Sequence, residues 1–162
     1  MKLSGTTRYL VGAWAVMVAG ELVYQVLNAI GLVIEPAALK QAAREAAKAR
    51  GEDVSEALIT VSTYTSIVMM SLFQLLIIVL LAFALHAVAH RQKWADTARR
   101  LLSVFAIYFA IRAVLVVLAP AAVAGANQLP VAFAAVTGAM QIIVGVAGVC
   151  GLVYATRSTK DR

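Results

Sequence analysis

Each of the four apolar runs of this 162-residue chain brings one strongly polar side chain toward a common depth: Glu21, Gln74, Arg112 and Gln141. A carboxylate in such a run can carry a proton or a cation, or it can close on a guanidinium. The amides can donate and accept hydrogen bonds to either group. Counting along each helix shows that the four belong together. Glu21 lies eleven residues from Leu10 and Arg112 eleven from Leu101, each about 16 Å deep at 1.5 Å per residue. Gln74 is eleven residues from Leu85, and Gln141 thirteen from Tyr154. All four reach one level, near the middle of a hydrocarbon core roughly 30 Å thick.

Faces agree with depths. Trp14, Glu21, Gln25 and Asn28 fall on one stripe of their helix, and Thr63, Ser71 and Gln74 on another. Phe105, Tyr108 and Arg112 share a side, which offers the Tyr108 ring to the guanidinium. Thr137, Gly138, Gln141, Gly145 and Gly148 form a small-residue face that permits close backbone approach. An unpaired charge at mid-depth costs at least ~2.5–3.5 kcal/mol. The expectation is therefore a Glu21–Arg112 pair inside a bundle, with Gln74 or Gln141 sharing its hydrogen bonds. Glu21, Gln25, Gln74, Tyr108, Arg112 and Gln141 make up this intramembrane polar cluster. It either fixes helix packing, or handles an ion, proton or ligand, or meets another subunit.

Other chemistry is sparse. His86 and His90 have a spacing that can offer two ligands to a metal, but no third is evident, and they read as interfacial residues near lipid phosphates. Cys150, the single cysteine, can form neither an intrachain disulfide nor a thiolate metal site, and reads as a small core residue. There is no glycine-rich phosphate loop, Ser/His/Asp set, HExxH or carboxylate-rich cluster. No catalytic residue, metal or cofactor is assigned, and an enzyme acting alone is not expected.

The elements that must position the cluster follow from composition. With 62% hydrophobic and 14% charged residues and a mean hydropathy of +0.88, the chain departs far from soluble proteins, which are about 45–50% apolar and about 25% charged. Four runs reach the roughly 20 residues a spanning helix needs: 9–34, 67–89, 101–119 and 131–154. The fold expected is all-α, a single membrane domain of four transmembrane helices. Its first run passes the small-residue site at Ala19-Gly20 and continues to Ile34, too long for a signal-peptide core, so it reads as a span that stays. The loop 35–58 predicts a short extracytoplasmic helix over Pro36–Arg50, ended by Gly51, with Leu39, Ala42, Ala43 and Ala46 as its apolar stripe. Asp53 and Glu56 form a start signal for the next helix near Val54. Trp94 anchors the short connector RQKWADTARR at an interface, Pro120 ends or kinks the third span, and Pro130 opens the fourth after the turn 126–129.

Net charge is +6, but the cations flank the spans, so the balance indicates a membrane surface and not nucleic acid. Lys2, Arg8, Arg91, Lys93, Arg99, Arg100, Arg157, Lys160 and Arg162 fall on one side, and Lys40, Arg44, Lys48 and Arg50 on the other. Nine against four predicts both termini in the cytoplasm.

A glutamate in the first of four spans resembles the small multidrug resistance transporters, which exchange protons and cations on such a residue. This chain departs from them in its long charged loop and in Arg112, which can neutralise that carboxylate. In size, Ala/Val/Leu-rich spans, short basic connectors and the tail TRSTKDR, the chain is similar to small actinobacterial membrane proteins. Some of these are accessory subunits of respiratory bcc–aa3 supercomplexes. That resemblance implies a non-catalytic accessory or scaffolding subunit in the inner (plasma) membrane. Its partners would be the lipid bilayer and larger integral membrane proteins, or further copies of itself. The alternative is a small oligomeric proton- or ion-coupled transporter using Glu21.

Overall fold

Hydropathy and capping residues account for the helices observed. The computed structural model describes residues 5–119 and 130–160. Lys2, Arg162, Pro120 and the turn 126–129 lie outside the described residues. Among those described there are five α-helices and no strand: α1 (Gly5–Ile34), α2 (Ala37–Ala49), α3 (Glu56–Ala89), α4 (Ala95–Leu118) and α5 (Val131–Lys160). All except α2 are long and apolar enough to cross a membrane.

The residue before a proline is biased away from helical backbone, and α1 ends one residue before Glu35-Pro36. The alanine-rich α2 stops at a Schellman cap. Gly51 takes φ +71, its N–H donates to the Lys48 carbonyl at 3.0 Å, and the Glu52 N–H donates to Ala47 at 3.1 Å. The same cap closes α3 without a glycine: Arg91 takes φ 49, and the Gln92 N–H reaches the Ala87 carbonyl at 3.0 Å. The start of α3 differs from the sequence expectation. Ser55 is its N-cap, its hydroxyl accepting from the Leu58 N–H at 3.4 Å. A serine in extended backbone beside the first turn caps more directly than Asp53 two residues earlier.

At about 51 Å for 34 residues, α3 outruns any bilayer core, and α2 packs on α3. The packed face of α2 is rotated from the expected stripe. Ala47 is buried and Leu39 and Ala43 half-buried, whereas Ala42 and Ala46 are exposed. An exposed ion pair from Arg44 to Glu56 also ties α2 to the first turn of α3, a contact that the alanine pattern could not indicate.

The four long helices form an antiparallel ring in the order α1, α3, α4, α5. Packing is most extensive where α5 meets α1 and α4, and glycines are the reason. A Cβ at Gly151 would collide with the Trp14 indole, and one at Gly145 with the Ala113 methyl. At Gly148 it would lie 3.1 Å from the Ala106 carbonyl oxygen and 3.3 Å from Met17 Sδ. Tyr9 and Tyr154 stack at 5.7 Å where α1 begins and α5 nears its end. Cys150 faces away from this seam and is exposed, which corrects its reading as a core residue. The main core (Leu10, Trp14, Met17, Leu81, Leu102, Ala106 and Val144 at its centre) occupies the half of the bundle nearest the α3–α4 connector.

Candidate functional site

Glu21 of α1 and Arg112 of α4 meet at the inner limit of that core. The helices carrying them are not ring neighbours but stand across a diagonal, so the two side chains cross the bundle interior. Arg112 Nη1 donates to Glu21 Oε1 at 2.9 Å, and Nη2 donates to Oε2. Both carboxylate oxygens are thus engaged by one planar fork, the geometry that gives arginine–carboxylate pairs their directionality. Glu21 is 3% exposed and the Arg112 side chain 15%.

The amide that supports the carboxylate is Gln25, one turn along the same helix, whose Nε2 donates to Glu21 Oε1 at 2.7 Å. Neither Gln74 nor Gln141 hydrogen-bonds to the pair. Gln74 is half-buried on α3. Gln141 is 5% exposed and lies beside Tyr24, with its Oε1 buried and without a hydrogen-bond partner. Depth counting along each helix did not indicate which amide would reach the pair.

Aromatic rings complete the enclosure. The guanidinium carbon sits 4.6 Å from the Tyr24 ring centroid and 4.9 Å from that of Phe109. Tyr108, the aromatic singled out from sequence, is farther away at 6.0 Å and is 55% exposed. Three residues separate Glu21 from Tyr24 and Phe109 from Arg112, and that i, i+3 spacing was the available signal. A tyrosine face over a desolvated cation is attractive, and it also keeps the guanidinium from other partners. Chemically, the arrangement is a closed ion pair with local support. Arg112 Nε and Gln25 Oε1 are its polar atoms left without partners.

The two histidines lie elsewhere, exposed at the end of α3, with ring centroids 4.0 Å apart. His90 Nδ1 is 3.0 Å from the His86 carbonyl oxygen. Comparison with protein families, curated proteins and solved structures finds no match to this chain.

Proposed function

We propose that this chain is a multi-pass protein of the inner membrane and a non-catalytic accessory or scaffolding subunit of a larger membrane complex. A respiratory supercomplex is the assembly its resemblance suggests. Both termini and the α3–α4 connector would be cytoplasmic, and α2 would lie on the outer face as a lid or docking element. The observation that carries this reading is the closure of Glu21. Its two oxygens are taken up by Arg112 of the same chain and supplemented by Gln25. The mid-depth charges therefore hold α1 to α4, and the outward faces remain for lipid and protein neighbours. Purification of the tagged full chain from its native membrane in mild detergent tests the idea. A larger membrane complex retained at fixed stoichiometry is expected, and recovery of the chain alone would count against it.

A transporter reading rests on the same carboxylate standing at mid-depth among Tyr24, Gln25 and Gln141. It makes a different demand. Purified protein in liposomes would then carry a proton- or ion-driven flux, and Glu21→Gln would abolish that flux while keeping the fold.

A further inference from the structure

The two ends of the bundle differ in how their charges are balanced. At the α2 end, Lys40, Arg44, Lys48 and Arg50 are interspersed with Glu35, Glu45, Glu52, Asp53 and Glu56. Arg44 pairs with Glu56, and Arg50 with Glu52 at 3.6 Å. At the other end stand Arg8, Arg91, Lys93, Arg99, Arg100 and Arg157, with Asp96 the one carboxylate among the described residues there. Six cations thus stand against one carboxylate among the described residues of this end, and the pairs Arg44–Glu56, Arg50–Glu52 and Arg112–Glu21 involve none of the six.

Arg8 stands in the first turn of α1, and Arg99 and Arg100 in the second turn of α4. Because α3 and α5 end where α1 and α4 begin, the helix dipoles offset one another, and the excess charge at this end is that of the side chains. α4 starts at Trp94 without a side-chain cap. Trp94 is exposed and held by a 2.8 Å hydrogen bond from its Nε1 to Gln92 Oε1. Trp94 and the stacked Tyr9 and Tyr154 are of the residue types enriched at headgroup level.

We propose that this end binds the phosphodiester headgroups of anionic phospholipids, at a site centred on the α3–α4 connector. Arg91, Lys93 and Arg100 supply exposed cations, and the exposed rings of His86 and His90 stand at the end of α3 that leads into the connector. The left-handed Arg91 matters here, because the cap it forms turns the chain back toward α4. Unbalanced cations at headgroup level match a negatively charged lipid surface, which is worth about fivefold in affinity per lysine or arginine and weakens with salt. The inference depends on the bundle spanning a membrane and not on what it assembles with.

The test uses the full chain in mixed micelles with equal phosphatidylglycerol and phosphatidylcholine, reading lipid retained per protein after gel filtration. Phosphatidylglycerol is expected in excess, and added salt should reduce that excess in the unaltered protein. The triple variant R91Q/K93Q/R100Q should lose about fivefold per cation removed, whereas K40Q/K48Q/R50Q at the other end should change little. The charge-keeping R91K/R100K should retain the preference, which separates charge from fold. Equal retention of both lipids, or equal loss from the two triple variants, would overturn the proposal. Inorganic phosphate and glycerol phosphate form the second arm. If either displaces the lipid at matched concentration, the site serves a soluble phosphate and the lipid assignment fails.

Discussion

At the residue scale, the buried ion pair makes the sharpest demand on experiment. Removing one partner leaves the other charge buried, at about 3–5 kcal/mol, whereas apolar replacement of both can be neutral. Glu21→Leu and Arg112→Leu should each lower unfolding stability in detergent by that order, and the double variant should recover most of it. Simple additivity in that cycle would mean that the two side chains do not interact. The rings give a second prediction. Tyr24→Leu should cost about 1–2 kcal/mol, and Tyr108→Leu at most about half as much, because only Tyr24 lies close over a desolvated guanidinium. An equal cost for the two would sink the assignment of Tyr24. The charges themselves were legible from sequence, since hydrocarbon leaves few alternatives to pairing them. Their supporting groups were not. Rise along a helix locates depth to about a turn, but each residue also rotates about 100°, and only the neighbouring helices decide which amide or ring reaches the charge.

At the element scale, α5 organises the bundle through small residues, and its glycines are unequal to those elsewhere. Gly151→Ala forces a methyl into the Trp14 indole, while Gly12 has nothing within 4 Å of the position a Cβ would take. The first change should destabilise by about 1–3 kcal/mol through overpacking. By contrast, Gly12→Ala should stabilise by up to about 1 kcal/mol, since alanine is the better helix former. Comparable losses from both, measured by thermal unfolding, would show that the seam is not packed this closely. Four apolar helices were readable from length and composition, and the face carrying Gly145 and Gly148 from its spacing. The partners were not readable. That α5 uses one face for both α1 and α4 follows from the ring order, which hydropathy does not encode. The rotation of α2 was hidden likewise, because alanines on adjacent faces give no contrast.

At the scale of the whole molecule, the antiparallel ring separates a charge-balanced end from a cationic one. With Cys150 first replaced by alanine, single cysteines at the Lys48 and Lys93 positions should react with an impermeant reagent from opposite faces of sealed vesicles. The Lys93 position should be reached from the cytoplasmic face, by the distribution of basic residues. Labelling of both from one side would undo the four-span topology, and labelling of Lys93 from outside alone would invert the orientation.

The diagonal ion pair also has a meaning in time. Glu21 and Arg112 are separated by 91 residues, so at roughly 5–20 residues per second a ribosome needs about 5–18 s between them. Throughout that interval the nascent α1 holds a carboxylate whose guanidinium has not yet been made. Gln25, only four residues on, emerges within about a second at the same rates. The short-range partner is therefore the earlier of the two to be made, and the guanidinium becomes available to the carboxylate only once the third long helix has been synthesised.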